Sequence, residues 1–351
     1  QKQASLCYKK LNMSKKNSSV ILKNGFRDFK EQSKIYLNFK NKLTNLKSKS
    51  YAVAISGGPD SLALAALSKA YSYEKKVKFY YLLINHNIRK NSAKEAFKVK
   101  KLLKKYKINL KIFENRKKII KNVQSQARAI RYEILKNFCK KNNIRILITA
   151  HNLEDQVETF FIRLSRGSGL TGLSSMRTLS KLDQKVYLYR PFLETQKNSL
   201  IEISKKVFGK FIKDPSNLDP KYLRTKIRNL KTPLKKSGIE YSQILKSIKN
   251  LASSKDTLDL YVNEILKDII KKNQNEVIIN LNKFNSFNDE IKIRIIHQSI
   301  KSLKKNYYNL RSKKVMNLIN SLDIKKFHPY TLGGCLFYKK KHYLCLKKVK
   351  I

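Results

Sequence analysis

Residues 56–61 read Ser56-Gly57-Gly58-Pro59-Asp60-Ser61, placing two glycines, a carboxylate and two hydroxyls within six positions. The apolar run Tyr51-Ala-Val-Ala-Ile55 precedes them and Leu62-Ala-Leu-Ala-Ala-Leu67 follows. The first run has the pattern of a short buried strand, and the second is built from good helix formers. A strand–loop–helix junction presents unpaired backbone N–H groups at the positive end of a helix dipole, which suits an anion. Glycine lets the backbone approach that anion closely. Asp60 or Ser61 is expected to cap the helix. The loop holds no lysine and does not fit G-x-x-x-x-G-K-[ST], the device used to move a γ-phosphate. A plain tight turn would explain two glycines, but not all six residues in this setting.

A second constellation lies at 149–173, TAHNLEDQVETFFIRLSRGSGLTGL. His151 is expected at the end of a strand. Asp155 and Glu158 are three apart on the helix that follows, so their carboxylates share a face. Such a set can hold Mg²⁺, bind a substrate ammonium or accept a proton. N-capping and surface charge are the plainer explanation, and as zinc ligands the set lacks a second histidine. Arg163 and Arg166 follow, with a glycine-rich loop after them. Three weaker groups complete the candidates. In the stretch 84–96, which follows a strand, His86 and Arg89 are expected at the strand's carboxyl end, and the planar fork of arginine suits phosphate. Arg128, Arg131 and Tyr132 lie on one predicted helix. Arg224 and Arg228, four apart near Asp214 and Asn217, lie in the polar, proline-containing stretch 214–228. In isolation the first two read equally well as solvated surface, and the third alone reads as a basic linker.

The elements that must carry these residues alternate from 26 to about 210. Helices are expected over 26–46, 61–73, 92–106, 121–142, 152–165 and 196–208. Strands are expected over 51–55, 77–85, 108–113, 144–150 and 186–192. This alternation predicts an α/β fold, a parallel doubly wound sheet, with ligands at the carboxyl ends of the strands near a switch point. The loop at 56–61, His86 and His151 all fall there. Residues 1–25 read as a disordered extension and 26–215 as the catalytic domain. A basic linker or functional segment covers 216–230. A mainly helical basic domain covers 231–325, with helices over 240–272 and 288–322 and a strand at Glu276–Leu281. A small β hairpin over 326–351 turns at Gly333-Gly334.

Lys and Arg number 78 against 24 Asp and Glu, a formal net charge of +54, which points to a polyanionic partner. Abundant Lys, Asn, Ile, Tyr and Phe with no Trp is the imprint of an AT-biased genome, and that drift supplies part of the excess. No strongly amphipathic basic helix argues for a membrane surface. The four cysteines, Cys7, Cys139, Cys335 and Cys345, form no C-x-x-C and fit no zinc module. Scattered thiols in a chain of this length suggest a reducing cytoplasm. No apolar run reaches a membrane-spanning length and no signal peptide is visible.

Taken together these residues resemble the tRNA(Ile)-lysidine synthetase family of PP-loop enzymes. The matching motifs are S-G-G-P-D-S at 56–61, H-x-I-R at 86–89 and Q-A-R-x-x-R-Y at 126–132. A-H-x-x-x-D-Q-x-E-T at 150–159 and R-L-x-R-G-S-G-L-x-G-L at 163–173 follow. Arg190-Pro191, D-P-S-N at 214–217, Arg224 and Ile227-Arg228 complete the set. Asn85, Asn152 and Glu154 depart from the usual Asp, His and Asp of the family, which puts a metal or substrate role at 152 or 154 in doubt. The resemblance implies an adenine nucleotide α-hydrolase-like fold with ATP held by Ser56, Gly57, Gly58, Pro59, Asp60 and Ser61. It implies adenylation of the wobble cytidine of an isoleucine tRNA with a CAU anticodon, release of pyrophosphate, and displacement of AMP by free L-lysine. His86, His151, Asp155 and Glu158 become candidates for catalysis or for lysine or metal binding, with Asp60 the Mg²⁺ partner. Arg89, Arg128, Arg131, Arg163, Arg166, Arg224 and Arg228 become candidates for tRNA phosphates. The sequence leaves oligomeric state open, a homodimer included. Competing readings are a tRNA 2-thiolating enzyme, disfavoured by the lack of C-x-x-C, and an amidating enzyme, which would lack the basic C-terminal half. A noncatalytic basic RNA-binding protein would leave 56–61 and 149–173 unexplained.

Overall fold

The computed structural model describes residues 19–349 except 90, 116, 118, 120–122, 213–220, 222, 274, 305–309, 311 and 323–326. The chain divides into two compact units, Gln1–Leu251 and Ala252–Ile351. That division lies C-terminal of the 215–230 boundary suggested by composition.

The first unit is built on six strands: β1 (Ser50–Ile55), β2 (Lys78–Asn85), β3 (Leu110–Glu114), β4 (Ile146–Ile148), β5 (Leu179–Lys181) and β6 (Tyr187–Tyr189). Their order is β3-β2-β1-β4-β6-β5. All neighbours run parallel except β5, which pairs antiparallel with β6. The helices are α1 (Lys30–Asn45), α2 (Pro59–Glu74), α3 (Ser92–Lys104), α4 (Val123–Lys141), α5 (Leu153–Leu164), α6 (Leu170–Leu173), α7 (Lys197–Phe208), α8 (Leu223–Asn229) and α9 (Lys231–Lys236).

Period-two alternation sorts the strands into two cores. Tyr51, Val53 and Ile55 face one way and pack with apolar residues of α1, α2, α3 and α7. Ala52 faces the other way and packs with Leu82, Leu147 and Leu188 against Leu135 and Cys139 of α4. Both faces of the sheet are covered, as a parallel sheet requires. From β1 the chain builds outward to β2 and β3, then returns to place β4 on the other side of β1. That reversal opens a crevice at the carboxyl ends of β1 and β4, where the 56–61 loop and His151 emerge.

The extension expected over 1–25 lies outside the described residues as far as 18. Residues 19–23 are helical, and Leu22 and Phe26 are buried, which corrects the expectation for that part. The cause is local: Ile21, Leu22 and Phe26 join the core, and the Phe26 ring meets Tyr36 of α1 at 5.9 Å between centroids.

Long helix α10 (Tyr241–Ile269) spans the division between the units. The second unit contains β7 (Ile270–Lys272), β8 (Glu276–Asn280), α11 (Leu281–Asn285), α12 (Asp289–Leu303), α13 (Ser312–Ser321), β9 (Tyr330–Leu332), β10 (Cys335–Lys340) and β11 (Tyr343–Lys348). The expected terminal hairpin is present as β10 and β11 but does not stand alone. β8 pairs with β11, giving a five-stranded sheet in the order β7-β8-β11-β10-β9. Val277, Ile279, Leu344 and Leu346 bury their side chains with Ile295 and Ile296 of α12 and Leu318 of α13. Among the described residues no helix is long and apolar enough to cross a membrane.

Candidate active site at the loop after the first strand

β1 ends at Ile55, and the chain turns through Gly57 at φ +86° before α2 starts at Pro59. The helix cap is Gly58, with no side-chain cap bond. Neither Asp60 nor Ser61 caps it as expected, because Pro59 has the fixed φ suited to the first helical position and starts the helix earlier. Pro59 has no N–H and the Leu62 N–H donates to the Gly58 carbonyl at 3.1 Å, so the first-turn N–H groups without an intrahelical acceptor are those of Asp60 and Ser61. Ser61 instead ties the loop to itself. Its buried Oγ accepts the N–H of Ser56 at 3.1 Å and of Gly57 at 3.2 Å, and donates to the Gly58 carbonyl at 2.9 Å. The Ser56 hydroxyl remains at the exposed edge. A side chain at Gly57 would meet Val99 at 2.6 Å. The Gly57 carbonyl also accepts the Ile212 N–H at 3.0 Å, so this turn is held from both sides.

Asp60 lies on the first turn of α2 with Oδ1 buried and without a hydrogen-bond partner among the described residues. Burial pushes its carboxyl up to about 7. The Lys197 charge opposes that rise and the Asp155 charge adds to it. The donor amide Nδ2 of Asn152 is likewise buried and unpartnered. Buried polar atoms without partners are uncommon, and here they converge on a loop shaped for an anion. Asp60 fits a one-carboxylate share of a Mg²⁺ shell, since that ion is commonly completed by substrate phosphates and water. Among the described residues no group of three or more His, Cys, Asp or Glu gathers to hold a metal by itself.

Both ring nitrogens of His86 are buried without hydrogen-bond partners among the described residues, and burial with the Arg131 charge pushes the ring down to about 4. His151 meets Thr149 Oγ1 through Nδ1 at 2.9 Å. Burial, followed by the charges of Arg128, Arg190, Arg224 and Arg131, pushes it down to about 3. Both imidazoles are neutral at neutral pH and offer polar contacts rather than stored protons.

The acidic residues of α5 are engaged. Asn152 caps the helix in a capping box: its Oδ1 accepts the Asp155 N–H at 2.9 Å, and Asp155 Oδ2 accepts the Asn152 N–H at 3.1 Å. The other Asp155 oxygen accepts Arg224 Nη2 at 3.1 Å. Glu158 accepts Arg224 and Arg228 together. Glu154 accepts the Lys197 N–H and Lys231 Nζ, each at 2.9 Å. The remaining arginines divide by role. Arg163 Nη1 donates to the carbonyls of Gly172 at 2.7 Å and Ser175 at 3.0 Å, holding the glycine-rich loop. Arg89 pairs with Glu95 at 3.0 Å. Arg128 stacks over Tyr132 at 5.1 Å, and Arg128, Arg131 and Arg166 are exposed. Asp214 and Asn217 lie outside the described residues.

Three residues at the site escaped sequence reasoning. Asn152 departs from the usual His of the resembled family, yet an Asn just before a helical run is itself an N-cap signal. Lys197 starts α7 and brings its charge to Asp60. Arg190 is buried, with Nη1 on the Arg177 carbonyl at 2.8 Å and Nε without a partner among the described residues. Only the resemblance pointed to Arg190.

A mainly parallel sheet whose central strand leads into a lysine-free S-G-G-P-D-S loop has the form of a PP-loop domain, and the family model for the PP-loop domain matches residues 31–234. The chain is 33% identical over 293 residues to a tRNA(Ile)-lysidine synthase of Wolbachia pipientis wMel, covering 82% of this chain and 68% of that protein. It is 32% identical over 308 residues to the tRNA(Ile)-lysidine synthase of Orientia tsutsugamushi (strain Boryong), covering 84% and 68%. Among solved structures, the U34-tRNA thiolase NcsA from Methanococcus maripaludis, with its [4Fe-4S] cluster, superposes with a TM-score of 0.52 at 19% identity. That match covers 62% of this chain and 79% of the thiolase, and shows the shared fold. The chain belongs to the tRNA(Ile)-lysidine synthase family of PP-loop proteins.

Proposed function

We propose that this protein joins free L-lysine to C2 of the wobble cytidine in the CAU anticodon of an isoleucine tRNA, with ATP converted to AMP and pyrophosphate. The observation that carries this reading is the 56–61 loop, closed on itself by Ser61 at the N-terminus of α2, with an Asp60 oxygen that has no hydrogen-bond partner among the described residues. Cytosine O2 is a poor leaving group. Attack of O2 on the α-phosphorus of ATP forms the O2–phosphorus bond, breaks the bond to pyrophosphate, and converts O2 into the better leaving group, AMP. The lysine ε-amine then adds at C2, AMP departs with O2, and the amine proton is released to the medium. The loop N–H groups and the Ser56 hydroxyl hold the phosphates in line. Asp60 would share in holding Mg²⁺, which supplies neutralisation of charge on the departing pyrophosphate. The neutral rings of His86 and His151 supply hydrogen bonds beside the reacting base. An anticodon loop offers its base unstacked at low cost. We assign the unit Ala252–Ile351 to tRNA backbone contacts, with the work done in the cytoplasm where tRNA and free lysine occur.

A thiolating reading finds no support in the described cysteines. Cys139 is buried on α4 with its thiol pushed up to about 12 by burial, and Cys335 and Cys345 are buried in the second unit. Pyrophosphate release is the deciding assay. Release should require the CAU-anticodon tRNA, product should require lysine, and neither sulfide nor ammonia should replace lysine. Asp60→Ala should abolish release while leaving tRNA affinity near wild type. Normal turnover by Asp60→Ala, or product formation with sulfide, would overturn the assignment.

A further inference from the structure

The five-stranded sheet of the second unit has two unlike faces. Cys335 and Phe337 of β10 and Leu344 and Leu346 of β11 point inward and pack with apolar residues of α12 and α13. Period-two alternation sends Leu336, Tyr338 and Lys340 to the opposite face. The register sets them beside Lys347, Cys345 and Tyr343 of β11, and Glu276 and Ile278 of β8 continue the rows. Lys271 of β7 joins them through its pairing with Ile278. Lys271, Lys340, Tyr343 and Lys347 are exposed, so among the described residues this face is open to solvent, as an antiparallel sheet allows.

Tyr338 is the centre of the open face. Its hydroxyl donates to Glu276 Oε1. Tyr338 lies on β10 and Glu276 on β8, with β11 between them. Neighbouring strands are about 4.8 Å apart, so this bond joins strands separated by about 10 Å. A tyrosine makes that reach only by lying across β11. The side chain it crosses, Cys345, is 1% exposed although it belongs to the open face. The ring therefore lies along the sheet, with one side down on Cys345 and the other turned outward. Lys340 Nζ stands 5.4 Å from the ring centroid and Lys347 Nζ 5.5 Å. Both ammonium groups sit on exposed, flexible stems and are drawn to the ring by its quadrupole, an attraction that a stacked base can replace.

A flat aromatic ring between two ammonium groups matches the chemistry of an unpaired nucleotide. The base stacks on the ring, and the phosphates on either side of it take the lysines. An acidic peptide would engage the lysines and leave the ring unused. A base-paired helix keeps its bases stacked on one another and offers only phosphates. Charge favours a polyanion: Lys271, Lys340 and Lys347 share the face with Glu276, whose carboxylate is tied to the Tyr338 hydroxyl.

We propose that the open face of this sheet is a stacking platform for an unpaired RNA nucleotide, with the base on Tyr338 and the flanking phosphates on Lys340 and Lys347. The platform adds a base contact to the backbone contacts assigned above. It rests on the lysidine-forming reading only for naming tRNA as the RNA.

The chain contains no tryptophan, so Tyr338→Trp introduces a single indole. The full chain carrying it is titrated with a short single-stranded oligouridylate and, at the same salt, with the duplex of that strand and oligoadenylate. Stacking should quench the indole with the single strand and not with the duplex. Tyr261→Trp, at a half-exposed position on α10, should stay unquenched. Tyr338→Leu keeps an apolar cover over Cys345 and removes the aromatic face. It should weaken single-strand binding about five- to a hundredfold, with Tyr338→Phe within about threefold of wild type. Lys340→Ala and Lys347→Ala should each lower the log–log salt slope by about 0.7, while Lys301→Ala, exposed on α12, should not. An unquenched indole at 338, or wild-type affinity in Tyr338→Leu, overturns the proposal. Equal slopes in Lys301→Ala and Lys340→Ala overturn it too, because they mark bulk charge alone. So does self-association of the chain that Tyr338→Leu abolishes, which would give the face to a second copy. None of these measurements uses ATP or lysine. Quenching by single-stranded RNA therefore supports the platform even if the protein releases no pyrophosphate, an outcome that by itself removes only the functional reading.

Discussion

Placing alanine at Gly57 and at Gly58 should have unequal consequences, although the two residues are neighbours in one loop. Gly57 sits at φ +86°, and an added Cβ would lie 2.6 Å from Val99 Cγ2. Val99 is buried on α3 and packs within the main core, so it has little room to retreat. The left-handed backbone costs an alanine about 1–2 kcal/mol, and forcing a methyl into a packed core costs about 1–3 kcal/mol more. A total of about 2–5 kcal/mol corresponds to a fall in melting temperature of roughly 4–20 °C for a unit of this size. Gly58 has φ −73° and ψ 164°, an ordinary extended conformation. Its added Cβ meets only Ser56 Oγ, at a comfortable 3.7 Å. Its cost is that of alanine at a helix cap, about 1 kcal/mol. Thermal unfolding followed by circular dichroism measures both. Val99→Ala provides the control: by itself it destabilises by about 1–2 kcal/mol through lost apolar burial. Combined with Gly57→Ala it should recover about 1–3 kcal/mol of the steric part and none of the backbone part. Equal shifts for the two glycines, or strict additivity with Val99→Ala, would refute the close-approach argument.

Asp60 and His151 should bend the pH dependence of stability in opposite directions. Asp60 is raised from 3.8 to about 7, so its contribution is present below 3.8 and is lost as pH rises through about 7. Asp60→Asn should therefore raise the melting temperature at pH 8 relative to wild type and leave it unchanged at pH 4. His151 is lowered from 6.5 to about 3, so its contribution is complete above 6.5 and is lost as pH falls toward 3. His151→Gln should flatten the acid limb of the melting curve, and an unchanged limb would mean that the ring is not buried. Arg128 is exposed over Tyr132. Arg128→Ala should lower the log–log salt slope of tRNA binding by about 0.7–0.9, as measured by filter binding, if that guanidinium neutralises one phosphate.

The order of elements in the first unit was legible because its causes are local. Tyr51–Ile55 and the residues after Ser61 declare a strand and a helix through side-chain type alone, and their alternation through to residue 208 implies a parallel sheet. The carboxyl ends of those strands follow from the same pattern, so the 56–61 loop, His86 and His151 could be placed near one another without coordinates. Boundaries were less legible. Proline at 59 moved the start of α2, and the buried residues Leu22 and Phe26 drew part of the N-terminal segment into the core.

Side-chain partners were not legible, because they depend on where distant segments meet. Glu158 is separated from Arg224 by 66 positions and from Arg228 by 70. Both arginines read as phosphate ligands in sequence, and the contact of each with the buried Glu158 carboxylate could not be read there. The same holds for protonation. Composition shows an aspartate at 60 and histidines at 86 and 151, but burial and surrounding charge raise the first and lower the others. In the second unit, the alternating terminal strands announced a hairpin, while its pairing with Glu276–Asn280 required the chain to return across more than fifty residues. Sequence by itself determined the anion loop and the α/β frame, since propensity and periodicity act within a few residues. Only the tertiary structure decided which charges are neutralised and which buried atoms still lack a partner, since desolvation and ion pairing are properties of neighbours brought together by the fold.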